Sequence, residues 1–278
     1  MTRNTCRKRY GLTLVLFGVF WTCEQARAET TDVLALIRHG TAALAQNKLQ
    51  EAAEAFQKAV DLDPSSAKAH EELGVALSRA LLAGAVRPSA DSDVFVRAEA
   101  HLGQASDLAP SAPRPLMELS ALESAIAERS ADEPERSDRY NKAIDLLKRA
   151  VALEPGKADL YLRLANLERD DFGPVLQQAK ARFGKIHGPI PDPGLRHTLQ
   201  QRYGSLIDEA IANAKEASEM NAAPTSSLFL TSRLLRQRAL IRDTQAQYAT
   251  DMHSADDWQR QFLAVGGHVQ ESEGRLTP

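Results

Sequence analysis

The residues best suited to metal or acid–base chemistry are seven histidines and three acidic clusters. His39, His70 and His101 stand at unlike positions in helical stretches, which predicts packing or exposed rings and no converged site. His187, His197, His253 and His268 share no H-E-x-x-H spacing, so the two-ligand helix face of a zinc enzyme is absent. Gly184-Lys185 lacks a glycine five residues earlier, and Ile186 stands where a phosphate loop needs Ser or Thr. No G-x-S-x-G occurs, and Gly266-Gly267-His268 reads as a helix terminator. Asp132-Glu133-Pro134-Glu135, Asp170-Asp171 and Asp256-Asp257 read as solvated turns or as charge at helix N-termini. Arg233, Arg236, Arg238 and Arg242 form a basic patch that pairs either with those loops or with an acidic partner. The pattern predicts no catalytic residue, no cofactor and no metal.

The elements that would position any site begin after an N-terminal leader. Arg3, Arg7, Lys8 and Arg9 precede an apolar run from Gly11 to Trp21, and Ala26-Arg27-Ala28 precedes Glu29. This is the tripartite pattern of a secretory signal peptide over 1–28, with cleavage expected between Ala28 and Glu29. An apolar run of about eleven residues is short of the roughly 20 that span hydrocarbon. Lipidation at Cys23 is disfavoured by the bulky Phe20-Trp21-Thr22 approach. Cleavage would remove Cys6 and Cys23, the only cysteines. Disulfides and thiolate metal sites are then excluded, and stability must come from packing. The leader takes 5 of 34 basic and 1 of 37 acidic residues, leaving a formal charge of −7. That sign argues against a nucleic-acid partner, which needs a basic face against phosphates.

The rest of the chain is organised by self-similarity. Leu36, Gly40, Ala43, Ala52, Phe56, Ala59 and Pro64 recur in kind as Leu73-Gly74, Leu77, Ala98, Leu102, Ala105 and Pro110. A third copy has Leu116, Leu119, Ala143, Leu147, Ala150 and Pro155. The endings Ala59-Val-Asp-Leu-Asp-Pro64, Ala105-Ser-Asp-Leu-Ala-Pro110 and Ala150-Val-Ala-Leu-Glu-Pro155 are near duplicates. A weaker fourth copy opens at Tyr161 and Leu164-Ala165 and returns at Ala210, Ala214, Ala217 and Met220, with Ala222 at the proline position. Gly40 and Ala52 are small where two helices cross, Phe56 fills the space between hairpins, and each proline stops a second helix.

This spacing resembles the tetratricopeptide-repeat (TPR) family over roughly Asp32 to Ala223. The resemblance implies an all-α, right-handed α-solenoid of about four helical hairpins over 29–223, followed by a long C-terminal helical segment. Pro64, Pro110 and Pro155 are 46 and 45 residues apart, and Ala222 follows after 67. Against a unit of about 34, the excess falls in the turns inside the hairpins, near 84–92, 130–137 and 171–204. These insertions are expected to project from one edge, unless part of each lengthens its flanking helices. In the third, Gly173-Pro174 and Gly188 to Gly194 bracket a short helix, Val175 to Phe183, followed by a rigid loop.

Residues 224–268 read as one capping helix or two, with Ser254-x-x-Asp257 as a candidate second start and Gly266-Gly267 as the stop. Leu234, Ile241, Tyr248, Met252 and Phe262 share one stripe, a surface for a homo-oligomer. Residues 269–278 are expected to be a disordered tail.

The resemblance further implies a scaffold that binds a protein or peptide on the inner face of the first helices. By register that face holds Ile37 and Thr41, then Glu71, Val75 and Ser78, then Met117 and Ala121, then Leu162, Asn166 and Arg169. The Lys/Asn/Arg set with which chaperone-binding TPR domains clamp a peptide carboxylate is absent. The expected chain is an exported, periplasmic or secreted interaction module.

Overall fold

The computed structural model describes residues 32–84, 92–220 and 224–267. The signal-peptide reading with Ala28 and Glu29, most of the 84–92 insertion, Ala222 with Ala223, His268 and the 269–278 tail lie outside them. Among the described residues ten helices and no strands occur. In chain order they are α1 (32–45), α2 (Leu49–Leu62), α3 (Ala67–Ala83), α4 (Asp93–Leu108), α5 (Pro113–Ala127), α6 (Glu133–Leu153), α7 (Ala158–Ala181), α8 (Pro193–Glu219), α9 (Pro224–Leu240) and α10 (Gln245–Ala264). None is long and apolar enough to cross a membrane. The chain divides into two compact units after Ser111.

Local chemistry sets the helix ends. Ser66, Ser92, Asp132, Asp192 and Thr244 each accept a bond from the backbone N–H three residues on, satisfying one orphan donor of the first turn. Helices α2, α4 and α6 all stop two residues before Pro64, Pro110 and Pro155, because the residue ahead of a proline is pushed out of the helical region.

The first unit holds α1 to α4. Ala52, Phe56 and Ala59 are fully buried on α2. A Cβ built on Gly40 would stand 2.6 Å from the Phe56 ring, and one on Gly74 would stand 2.5 Å from Leu102 Cγ. Glycine at these two positions is what lets α1 and α2, and then α3 and α4, approach so closely.

The second unit pairs α5 with α6, α7 with α8 and α9 with α10, and α6 to α9 pack on one another in turn. Phe172, Leu176, Tyr203, Ile207 and Leu234 centre its core. Residues 224–268, read as one capping helix or two, hold α9 and α10, which pair as a hairpin. The 241–244 break carries neither Gly nor Pro. Its signal is a capping box, in which the Thr244 side chain accepts from Gln247 N–H and Gln247 Oε1 accepts from Thr244 N–H. Ser254 lies inside α10, not at a start.

Only 128–132 separate α5 from α6, and only 182–192 separate α7 from α8; the remaining excess lengthens α6 to 21, α7 to 24 and α8 to 27 residues. Gly173-Pro174 does not break α7, which runs through it. Pro174 lacks an N–H, so the Asp170 carbonyl loses its helix partner there, a cost offset by packing of Phe172 and Leu176 on either side. The 182–192 segment does not project freely. Ile190 is 0% exposed, its N–H donates to Leu240 O at 2.8 Å, and Gln245 Nε2 donates to His187 O at 3.3 Å. It is a strap over the α9–α10 turn.

Candidate binding surface

The residues proposed for the inner face fare differently in the two units. In the first, Ile37 is buried, and exposed Thr41 donates from Oγ1 back to Ile37 O at 2.8 Å. Every residue from Ala69 to Ser78 on α3 is buried. Val75 is 1% exposed, Ser78 bonds to Gly74 O at 2.8 Å, and Lys68 Nζ lies 2.9 Å from Glu71 Oε1. Glu71, Val75 and Ser78 therefore cannot offer the open face the register predicts; their side chains are spent on packing and local bonds.

In the second unit the face stays open. Met117 and Ala121 lie four residues apart on α5, half-buried and exposed respectively; Leu162, Asn166 and Arg169 follow the same stripe of α7 and are half-buried. Asn166 Nδ2 donates to Leu162 O at 2.9 Å, and Arg169 pairs with Asp170 at 2.5 Å. Met117 and Leu162 each precede by two residues the Leu-plus-small pair of their helix, Leu119-Ser120 and Leu164-Ala165, so both occupy the same repeat position.

The opposite stripe of α7 is polar inside. Glu168 is 0% exposed and accepts Asn213 Nδ2 on both oxygens, at 3.1 and 2.9 Å. Burial lifts its pKa to about 7, with the Asn213 bond and Lys148 opposing and Glu209 adding. Asp171 is 3% exposed, and burial raises it to about 6 against Arg202 and Arg136. Burial likewise pushes the Tyr203 and Tyr140 phenols up. Asp171 is thus not the solvated edge carboxylate its sequence neighbours suggest. The signal was available: Leu160, Leu164, Glu168 and Asp171 follow the 3.6-residue period of the core stripe. A perturbed carboxyl marks a site only where substrate can reach it, and solvent barely reaches these two.

The other carboxylates of the edge are committed to caps and pairs. Asp132 caps α6, Glu133 accepts from Arg202 at 2.7 Å, and Glu135 accepts from Ser130 Oγ at 2.7 Å. An open hollow of about 440 Å³ over the start of α6 is lined by Asp132, Glu135, Asp138, Arg139 and Lys142. Arg139 and Lys142 face the buried Glu123 carboxylate at 2.8 and 2.5 Å. No two carboxylates there are shown facing each other in the arrangement acid–base chemistry requires.

The arginine patch is resolved inward. Arg238 and Arg242 both reach Asp251, at 2.6 Å each, and Arg238 also reaches Asp208 at 2.7 Å. Arg236 pairs with Asp256 at 2.8 Å, and Arg233 stacks over Phe229. The stripe read as a self-association surface is divided between α9 and α10, and Leu234, Ile241 and Phe262 are buried within the chain. His39 stands against Glu51 at 3.4 Å, whereas His70 and His101, whose unlike repeat positions gave no reason to converge, meet across the α3–α4 hairpin.

Residues 40–80 match the family described as "TPR repeat". No curated protein matches the chain. Among solved structures, one titled "Crystal structure of MamA protein" shares 15% identity with a TM-score of 0.48, covering 89% of this chain and 98% of its own. TTC0263, a thermophilic TPR protein of Thermus thermophilus, shares 23% identity with a TM-score of 0.41, covering 74% of this chain and 98% of its own. YrrB, titled a TPR protein with an unusual peptide-binding site, shares 14% identity with a TM-score of 0.44, covering 88% and 94%. The chain therefore carries a TPR repeat at residues 40–80 within an all-α fold of TPR-like hairpins.

Proposed function

We propose that the chain is an exported, non-catalytic module of the periplasm or secreted space that binds a protein or peptide through the α5–α7 face. TPR hairpins typically serve protein–protein interaction, since stacked repeats offer a shared side-chain surface. The observation that carries the reading is that half-buried Met117, beside Ala121 on α5, and half-buried Leu162, beside Asn166 and Arg169 on α7, occupy the same repeat position and keep part of their surface open. Partly buried apolar anchors ringed by polar groups are what a partner side chain can desolvate.

Affinity capture from an envelope extract tests this. Met117→Glu with Leu162→Glu should lose a stoichiometric partner that Gln178→Glu, on an exposed part of α7, retains, at equal helical content. Equal capture by both variants would place the contact elsewhere. Export rests on the Arg3 to Ala28 pattern; N-terminal sequencing of the exported chain should begin at Glu29, and a retained Met1 in that fraction would exclude cleavage.

A further inference from the structure

Two imidazoles meet inside the α3–α4 hairpin. His70 lies in the first turn of α3 and His101 in the middle of α4, with their Nδ1 atoms 3.0 Å apart and rings tilted by 37°. His70 is 7% exposed, and its Nε2 lies 3.1 Å from the Pro64 carbonyl in the preceding turn. A carbonyl only accepts, so Nε2 carries the proton and donates. The neutral ring must then present the Nδ1 lone pair to His101.

We propose that His70 and His101 form a binding site for a divalent late transition metal, held by both Nδ1 atoms with water filling the remaining positions. Two nitrogens each about 2.0–2.1 Å from one ion lie about 2.9 Å apart at a right angle and about 3.4 Å apart in a tetrahedron. The observed 3.0 Å falls between these limits, so the two nitrogens already stand at the separation one ion requires, and the rings must turn to aim both lone pairs at it. The Pro64 carbonyl supplies the outer contact that usually fixes the tautomer and plane of a metal-bound histidine. Binding needs no net loss of a proton: neutral His101 moves its proton from Nδ1 to Nε2, which has no described hydrogen-bond partner. Burial first, then His70 and Arg97, hold His101 below the usual histidine range and favour the neutral form a metal requires. His101 is only half-buried, which leaves room for water ligands and for entry.

The ligand set defines the metal. No group of three His, Cys, Asp or Glu side chains suited to a metal occurs among the described residues. With two imidazoles and water, the stability order of divalent ions puts Cu²⁺ first, ahead of Ni²⁺ and Zn²⁺. The positive charge of Arg97, exposed and 3.8 Å from Asp93, opposes the cation.

The test is calorimetric titration of the full chain, stripped by chelator, with Cu²⁺ alone, alongside electron paramagnetic resonance. One Cu²⁺ per chain should bind, with hyperfine splitting from two imidazole nitrogens. Affinity should fall at least tenfold in His101→Ala and in His70→Gln, and should rise several-fold in Arg97→Gln. His101 is less buried than His70, so its variant should keep the helical content and decides the matter if His70→Gln fails to fold. Equal binding and an unchanged spectrum in His101→Ala would assign the copper to the other histidines and overturn the site.

Discussion

At the level of single residues, Glu168 makes the sharpest prediction. Its folded pKa of about 7 lies above the ordinary carboxylate value of 4.5. Between those two values the folded chain binds more protons than the unfolded one, so stability falls as pH rises through that window. The full effect is on the order of 3 kcal/mol at 1.36 kcal/mol per unit. Comparing denaturant melts of the wild-type chain and Glu168→Gln at pH 5 and pH 8 isolates it: the variant should lose most of this dependence, while wild-type is weaker at pH 8. A variant that keeps the wild-type slope would show that the dependence arises elsewhere. Asp171, raised to about 6, adds in the same direction.

Glycine gives a second contrast at this scale. Gly74→Ala places a Cβ 2.5 Å from Leu102 Cγ and 3.2 Å from its backbone nitrogen. It should cost about 1–3 kcal/mol through overpacking. Gly103→Ala in α4 meets nothing within 4 Å and should stabilise by up to about 1 kcal/mol through helix propensity. Thermal melts of the two variants should move in opposite directions; a shared direction would mean the α3–α4 approach is not as close as described.

At the level of elements, α10 is held by charge as well as by packing. Asp251, 3% exposed, is the shared counter-ion of Arg238 and Arg242, whose proximity holds its carboxyl below the usual value despite burial. Asp251→Ala takes from Arg242 the carboxylate it reaches and leaves Arg238 with the exposed Asp208, and should cost about 3 kcal/mol. Hydrogen exchange should show the loss concentrated in α9 and α10. An even loss across the second unit would mean that these helices are held by their apolar contacts instead. The sequence offered the arginines without their partner: Asp251 is nine residues beyond Arg242 and across a break that no Gly or Pro announces. The strap at 182–192 was hidden for a similar reason. Its prolines predict an extended loop, but only the Leu240 carbonyl, fifty residues later, shows where Ile190 docks.

For the whole molecule, the division after Ser111 predicts that residues 112–267 fold alone. That stretch contains three hairpins and the core around Phe172, Tyr203 and Leu234, and stacked repeats need about three units to bury a continuous core. Expressed separately, it should be helical and melt in one cooperative transition; a broad, non-cooperative melt would mean it needs the first unit. Phe56→Ala, whose ring is fully buried beneath Gly40, should cost about 3–5 kcal/mol in the full chain and can have no counterpart in the fragment.

By itself the sequence determined that the chain is a run of helical hairpins. The small residues at crossings, the recurring prolines and the apolar period are local constraints, readable within one repeat. It also placed Met117 with Ala121 on one stripe of α5, and Leu162 with Asn166 and Arg169 on one stripe of α7, because helix geometry alone fixes what shares a face of a single helix. Only tertiary packing decided that Glu71, Val75 and Ser78 are closed off, that Glu168 and Asp171 are inside, and that His70 meets His101. Burial and long-range pairing depend on what lies against a residue, as with His70 and His101, 31 positions apart, and Glu168 and Asn213, 45 apart.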